Sequence, residues 1–503
     1  MSMRVKSNRT IWKIELIRTK LFLAFIAILV LDACTGNIKK YTETDKIAEI
    51  FPDYSGVMLP PNIAPINFTI NETAKKYLVK ISKEGKATIS IKSFTGNISI
   101  PLSKWKKLLQ LCRGEDIYFD IFVKKGGHWV KFPSIINHVA EDAIDNYVVY
   151  RLIDPGFELW NKMGIYQRCL EDFDEDPVMI NSVSDDNCMN CHSFCRNDSH
   201  IMMFHMRSKN SGTVIYREGK LSKVNTKTGQ TISSGVYPAW HPGGQYIAFS
   251  VNNIVQTFHS VKQIKVEVTD TLSDLIIFDA VNNIVFTNSL ISSRDRFETF
   301  PTWSPDGKYL YFCSARALPL SQYKNIRYDL LRISFDVTTR RFGTVDTVVS
   351  ASTEGHSVSF PRISPDGKYL MFCMSDFGNF SIWHSESDLL LKDLESGKIV
   401  SPDINSPQSE SYHTWSSGGR WIVFSSRRTD GLFTRLYFSY FDVNGNAHKP
   451  FLLPQKDPEF YSTFLKSYNV PELITTAIEL NPRKLIKTVY SEPLNAAFKD
   501  ISR

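Results

Sequence analysis

The sequence of 503 residues lacks the short motifs of several common enzyme classes. It contains no G-x-S-x-G element of a serine hydrolase, no H-E-x-x-H metal site and no glycine-rich phosphate loop. Its serines and histidines are scattered without the spacing of a catalytic triad. These absences argue against the hydrolases and nucleotide-dependent enzymes that such motifs define.

A strong excess of charge and long apolar runs are also missing from most of the chain. The formal net charge is +7, and residues 1–33 contribute six bases and two acids to it, so the rest of the chain is near +3. A balance this close to neutral gives no electrostatic support for a nucleic-acid partner. After Leu31, no apolar run is long enough to cross a bilayer as a helix.

The one apolar run, Leu21–Leu31, follows a basic N-terminal segment, as in a secretory signal peptide. It ends in Leu31-Asp32-Ala33-Cys34, which resembles the lipobox of bacterial lipoproteins. The resemblance implies cleavage before Cys34 and acylation of that residue; the alternative is a simple membrane anchor. Both interpretations predict a protein of the bacterial cell envelope, periplasmic-facing or at the outer membrane, that is attached to the membrane near its N-terminus.

Cysteines are few, and two of the 8 belong to the most informative pattern in the chain. Cys188-Met189-Asn190-Cys191-His192 is a C-x-x-C-H run, the spacing for attachment of a c-type haem. Two thiols at this spacing reach the two vinyl groups of one porphyrin, and the next residue offers an imidazole to the iron. The run predicts one covalent haem c, with Cys188 and Cys191 as attachment sites and His192 as the proximal iron ligand.

Other interpretations of this run are a redox dithiol or half of a zinc site. Zinc would require a second Cys/His pair, and Cys195 and His200 have the wrong spacing for one. Bacteria attach haem c outside the cytoplasm, so the predicted signal peptide and the C-x-x-C-H run support each other.

The other cysteines carry no comparable pattern. Cys313 and Cys373 occupy matching places in two apolar segments and are predicted to be small core residues. An oxidising compartment would permit one disulfide among the three that remain, and the sequence does not select the pair: Cys112, Cys169 and Cys195.

A second axial ligand for the iron is predicted close to the motif. The segment His200–Met206 offers imidazole and thioether groups, and a strand here would place Met203, His205 and Arg207 on one face. His205 or Met203 is therefore the predicted distal ligand, and Arg207 is the predicted partner of a haem propionate. The alternatives are no distal ligand or a remote one, such as His128 or His138.

The second half of the chain repeats a pattern of two apolar strands joined by a tight turn. The four copies are Tyr237–Ser250, Phe300–Cys313, Phe360–Cys373 and Tyr412–Ser425. They resemble the WD-like repeats of TolB-type propellers, in which an aromatic residue and Pro precede Trp or Ile and then Ser-Pro-Asp-Gly. The resemblance implies a β-propeller. We predict about six blades, with Thr213–Val224 in a further blade and the sixth closed by segments from elsewhere in the chain.

Before the haem motif, the alternating segments Tyr77–Ile81 and Thr88–Ile91 predict a small β-sandwich-like domain. The predicted fold class is therefore mainly β. In order, the predicted parts are a signal peptide (1–33), the β-sandwich-like domain (50–165), a linker with the haem motif (166–200), the β-propeller (201–460) and a partly helical tail (461–503).

Three functions are compatible with these features. The first is one-electron transfer with a redox or envelope protein partner, because a haem fixed by two thioethers and an imidazole can cycle between Fe(III) and Fe(II) with little rearrangement. The second is a binding or assembly protein whose haem is structural or sensory. The third is a haem-dependent oxidoreductase with a small substrate. An open iron position would favour the third function over the first.

Overall fold

The computed structural model describes residues 38, 40–84, 86–154, 162–260 and 265–501. The predicted signal peptide and Cys34 lie outside these residues. Within the described ranges, no helix is long and apolar enough to cross a membrane. The chain is mainly β, and its strands form an N-terminal domain followed by six sheets arranged in a ring.

The first ten strands form the N-terminal domain: β1 (Thr42–Glu43), β2 (Ile50–Phe51), β3 (Met58–Leu59), β4 (Phe68–Ile70), β5 (Tyr77–Lys83), β6 (Lys86–Ser93), β7 (Asn97–Ile98), β8 (Asp116–Lys125), β9 (His128–Lys131) and β10 (Ile135–Val139). Seven of them form one sheet around β8, and β2, β4 and β7 form a second. Helix α1 (Leu102–Leu111) lies between β7 and β8 and buries Trp105, Leu108 and Leu109, one stripe at helical spacing. The domain is therefore β-sandwich-like, with one added helix.

The other strands are β11 (Tyr147–Ile153), β12 (Gly164–Cys169), β13 (Glu175–Ile180), β14 (Met189–Cys195), β15 (Asp198–Met206), β16 (Gly212–Arg217), β17 (Lys220–Asn225), β18 (Val236–Trp240), β19 (Tyr246–Phe258), β20 (Val266–Asp279), β21 (Ile284–Phe286), β22 (Arg296–Trp303), β23 (Tyr309–Arg316), β24 (Asp329–Asp336), β25 (Arg341–Val349), β26 (Ser357–Ile363), β27 (Tyr369–Ser375), β28 (Asp388–Asp393), β29 (Ile399–Val400), β30 (Glu410–Trp415), β31 (Trp421–Ser426), β32 (Arg435–Tyr440), β33 (Phe451–Leu452), β34 (Ser467–Ile474), β35 (Leu494–Asn495) and β36 (Ala497–Phe498). Two α-helices, α2 (Phe460–Thr463) and α3 (Pro482–Val489), flank β34. Short 3₁₀ helices span Asn181–Val183, Ser208–Asn210, Leu320–Asn325, Ala351–Glu354 and Ser381–Trp383.

These strands form a six-bladed β-propeller. Blades one to five are the consecutive sets β14–β17, β18–β21, β22–β25, β26–β29 and β30–β33, and blade six combines β34 with β11–β13. Each innermost strand contacts the innermost strand of the next blade, and β34 contacts β14, so the ring is closed. The prediction of about six blades, with the sixth built from distant segments, is confirmed.

The repeated tryptophans join neighbouring blades. The Trp303 indole donates to the Ala239 carbonyl of the preceding blade at 3.2 Å. Trp240 and Trp415 make the equivalent bonds, to the carbonyls of Ser193 and Arg362. A buried indole N–H requires an acceptor, so each of these bonds fixes one blade against its neighbour.

Three predicted boundaries are wrong, and the first and third of them fail because the ring closes through distant segments. Residues 147–153, predicted in the sandwich, form β11 of blade six; the predicted linker 166–200 contains β13 and the whole of β14; and the predicted tail contains the innermost strand β34. Tyr147 pairs with Ile474, so the ring closes by joining segments more than 300 residues apart. A local alternation pattern does not record such a pairing.

Candidate functional site

The haem motif lies in the innermost strand of blade one, at a position that all six blades share. Each innermost strand has one non-glycine residue with a positive φ, between +48° and +54°: Cys191, Tyr237, Phe300, Phe360, Tyr412 and Val470. The strand register shifts at each of these places, which identifies a β-bulge. Cys191-His192 thus takes the place that Tyr237-Pro238 and Phe300-Pro301 take in blades two and three.

The six bulges surround the end of the propeller axis, and a cavity of about 180 Å³ opens there. Cys188, Cys191 and His192 all line this cavity. A bulge re-aims the side chains beside it, which explains how an inner strand presents consecutive residues to one space. The structure therefore brings together the three residues that the C-x-x-C-H spacing selected.

Aromatic rings from the bulges form one wall of the cavity. Tyr237 lies 4.5 Å from Phe300, Phe300 lies 4.0 Å from Phe360, and Phe360 lies 4.8 Å from Tyr412, as distances between ring centroids. A second wall carries Ile382 and Trp383 of the 3₁₀ helix before β28. Most of the lining is consequently apolar, as in sites that enclose a flat organic ring system.

A long hairpin supplies a third wall. Strands β19 and β20 have 13 and 14 residues and pair along their length, to Phe258 opposite Val266. Ile254, Gln256, Val266 and Val268 of this extension line the cavity. The hairpin thus reaches the axial end of the propeller, where the haem motif lies.

His192 is buried without a hydrogen-bond partner. The residue is only 2% exposed, and neither ring nitrogen makes a hydrogen bond. Burial, together with the nearby Arg151 guanidinium, lowers its pKa to about 3, although the backbone of Val149 and Val470 acts in the opposite direction. The imidazole is therefore neutral at physiological pH, the form in which a histidine binds a metal.

The two motif thiols are half-buried and free. Burial raises the pKa of the Cys191 thiol, and the positive charges of Arg207 and Arg151 oppose that rise. Both thiols face the same cavity as the unbonded imidazole. No disulfide forms within the described part of the chain, and Cys112, Cys169 and Cys195 are free as well.

The cavity is also rich in cationic groups. Arg151, Arg207 and Arg362 line it, together with the carboxylates of Asp154 and Glu472. Arg151 donates to the Asn469 side chain at 2.9 Å, while its buried Nε has no acceptor. Burial raises the pKa of Glu472 to about 7, although Arg362 acts in the opposite direction. The site thus combines apolar walls with an excess of guanidinium groups.

Of the three residues predicted on the distal side of the iron, Met203, His205 and Arg207, only Arg207 lines the cavity. His205 points elsewhere, because its Nδ1 lies 3.1 Å from the Thr213 hydroxyl in the next strand. Met203 is buried in the packing between blades one and two, beside Trp240 and Phe249. His128 and His138 belong to the N-terminal domain, in β9 and β10. The structure therefore does not bring the predicted distal ligands to the motif.

Two potential iron ligands in the cavity were missed. His413 occupies the place of the repeat proline in blade five, and Met163 precedes β12. The His413 Nε2 lies 3.0 Å from the Met371 carbonyl, and the Met163 sulfur accepts the Met189 N–H at 3.3 Å. The signal for His413 was visible, since Tyr412-His413 departs from the aromatic-Pro pattern. Met163 has no such signal.

Comparisons with known proteins return similar solved structures but no related sequence. No family model and no curated protein sequence matches the chain. Among solved structures, it is similar to TolB from Acinetobacter baumannii, with 14% identity, a TM-score of 0.40, and coverage of 74% of this chain and 85% of that one. It is also similar to a nidogen/laminin complex (9% identity, TM-score 0.37, coverage 65% and 100%) and to the Cps50 (Swd1) β-propeller domain of Myceliophteria thermophila (11%, 0.30, 50% and 65%). These similarities concern the fold alone; the six blades are defined by the sheet order described above.

Proposed function

We propose that this chain is an envelope-anchored c-type monohaem lipoprotein that transfers one electron at a time. The observation that carries the proposal is that Cys188, Cys191 and His192 share one apolar cavity, with both imidazole nitrogens unbonded. A buried imidazole without a partner is costly unless something else binds it. A metal at this nitrogen would satisfy it.

The cavity has the chemistry that haem c requires. Cys188 and Cys191 would form the two thioethers, and neutral His192 would bind the iron. Haem is a flat apolar ring with two carboxylates, so the aromatic wall suits the ring and Arg151 and Arg207 suit the propionates. When bound, haem c supplies an iron that changes oxidation state without leaving its site.

A second candidate is a haem-dependent oxidoreductase acting on a small molecule. It is supported by the two further potential iron ligands in the cavity. His413 and Met163 both make hydrogen bonds within the protein and are therefore not free to bind the iron. Without a second protein ligand, one iron position would remain available to an exogenous molecule. The two candidates therefore differ in one measurable property.

The test is a redox-titrated visible spectrum of the purified protein, with and without carbon monoxide. A c-type spectrum with a reversible one-electron transition supports the first candidate, and carbon monoxide binding by the reduced protein supports the second. Absence of any haem spectrum, in cells that mature other c-type cytochromes, would contradict both.

His205→Ala should leave this spectrum unchanged, because the His205 imidazole bonds Thr213 rather than facing the cavity. His413→Ala provides the comparison, since His413 does line the cavity. The measurement is the spectrum and carbon monoxide affinity of each reduced variant. If His205→Ala alone opened a carbon monoxide site that the wild type lacks, His205 would be the distal ligand after all.

Membrane attachment is proposed to depend on the Cys34 lipid. Cys34→Ala should move the protein from the membrane fraction to the soluble fraction or leave it unprocessed, because eleven apolar residues are a poor permanent span. Fractionation and the apparent mass of the product measure this. Complete membrane retention together with normal cleavage would contradict the lipobox interpretation.

A further inference from the structure

Charge is distributed unevenly between the two parts of the molecule. Residues 34–140, which contain the N-terminal domain, have 16 Lys/Arg and 9 Asp/Glu. Residues 141–503, which contain the propeller, have 37 Lys/Arg and 41 Asp/Glu. The domain nearest the predicted lipid is therefore basic, and the part that holds the haem motif is slightly acidic. Such asymmetry indicates a polyanionic partner for the basic part.

Within this domain, lysines are concentrated on the outer face of the seven-stranded sheet. Leu78 of β5 lies opposite Lys92 of β6 and opposite Phe122 of β8, and directly opposite residues share a face. Alternation adds every second residue of these strands to that face. We call this surface the basic face; its lysines are Lys76, Lys80, Lys92, Lys124 and Lys131, the last of which lies opposite Phe122.

Aromatic rings lie among these lysines. The Lys80 ammonium is 5.6 Å from the centre of the Phe122 ring, and that of Lys124 is 5.9 Å from the Trp129 ring. Phe94, which Lys76 approaches to 5.6 Å, is 70% exposed. Ammonium groups with their stems on apolar rings, beside an exposed aromatic side chain, are suited to the boundary between lipid headgroups and acyl chains.

The opposite face of the same strands is the domain core, where Val79, Ile121 and Val123 are fully buried. By the same alternation this face carries three acids: Asp120 lies opposite Lys80 and binds the Lys131 ammonium at 3.3 Å, Asp116 lies opposite His138, and Glu43 lies opposite Lys131. The five lysines of the basic face thus outnumber its three acids.

The chain reaches this face directly from the predicted anchor. Tyr41 is the first residue to pack there, with its ring 5.5 Å from that of Phe122. Tyr41 is the seventh residue after Cys34, and seven steps of an extended chain span at most about 25 Å. A lipid on Cys34 would therefore hold the basic face close to the membrane surface.

We propose that the basic face binds anionic phospholipid headgroups of the membrane that carries the protein. The proposal rests on the lipid anchor proposed above for the location of the face, but its chemistry does not require the lipid. Each lysine near an anionic surface contributes roughly fivefold to partitioning, and the effect is confined to about a Debye length. Binding would orient the N-terminal domain towards the bilayer and leave the propeller farther from it.

The test uses the full mature chain with Cys34→Ala, so that no lipid contributes. It should bind vesicles of phosphatidylglycerol and phosphatidylcholine in equal parts, but not vesicles of phosphatidylcholine alone, and high salt should release it. The triple variant Lys80→Gln, Lys92→Gln, Lys124→Gln should bind about 100-fold more weakly, at roughly fivefold per lysine. Inorganic phosphate at matched ionic strength should not compete.

The control is a second triple variant with the same change of net charge, in which three exposed lysines of the propeller are replaced: Lys220→Gln, Lys368→Gln, Lys398→Gln. It should bind like the parent chain. Equal weakening in the control would show that overall charge, and not the basic face, determines binding, and unweakened binding of the first triple variant would overturn the proposal. The haem spectrum and the fractionation of Cys34→Ala are measured separately, so failure of the proposed function is distinguishable from failure of this surface.

Discussion

Replacing both Cys188 and Cys191 by alanine should abolish all haem that survives denaturing gel electrophoresis. Only a covalent thioether resists that treatment, and the two thiols are the ones that line the cavity beside His192. The expected change is complete loss of haem stain at the mass of the protein, while its abundance in an immunoblot is retained.

Cys169→Ala is the matched control for that experiment. Cys169 is also a free, half-buried thiol, but it lies in β12 and does not line the cavity. Its haem stain should equal that of the wild type. Stain that persists in the double variant would contradict covalent attachment at the motif, and an unstained wild type from haem-maturing cells would contradict the assignment of haem c altogether.

The residues that could be predicted are those whose role is local. The repeated Trp240, Trp303 and Trp415 identified the blades, since each indole bonds its neighbour blade at a fixed point of the repeat. The C-x-x-C-H spacing likewise selected three side chains that do share one cavity. In both cases the sequence pattern that marks these residues spans only a few positions.

The features that were missed are those that the repeat pattern and strand alternation do not mark. Blade one was not recognised around Cys191, because Arg196 and Asn197 replace the Ser-Pro-Asp-Gly turn of the other repeats. Alternation places His205 and Arg207 on the same face of the strand, yet only Arg207 lines the cavity. Arg207 follows the end of β15, whereas His205 lies opposite Asn190 within the sheet. Strand alternation predicts which residues share a face of the strand. It does not predict which of those residues lies close to the propeller axis.

A buried ion pair joins the long hairpin of blade two, which forms one wall of the cavity, to the segment before β28. Glu267 lies between Val266 and Val268, which line the cavity, and its carboxylate is 2.8 Å from His384 Nε2. The His384 Nδ1 lies 3.1 Å from Glu386. Because His384 directly follows Trp383 of the second wall, this pair joins two walls of the site to each other.

His384→Gln should therefore destabilise the protein by about 3 kcal/mol near neutral pH, because it leaves Glu267 buried without a cationic partner. His384 and the Glu267 side chain are 0% and 3% exposed, so water does not screen the loss. The measurement is the urea midpoint of the full chain. His356→Gln is the control: its pairing with Asp376, at 3.8 Å, is exposed, and the expected change is within about 0.5 kcal/mol.

The same ion pair predicts a specific dependence of stability on pH. Burial alone would lower the pKa of His384, but the hydrogen bonds to Glu267 and Glu386 raise it to about 9, above the ordinary value of 6.5. A group whose pKa is raised on folding contributes its full stability below the unfolded pKa and loses it as pH rises through the folded one. The free energy of unfolding of the wild type should thus fall between pH 6.5 and about 9 relative to that of His384→Gln, in which this titration is absent. Parallel pH profiles for the two proteins would show that His384 is not held as an imidazolium. A difference confined to pH below 6.5 would mean that the imidazole is buried in its neutral form instead.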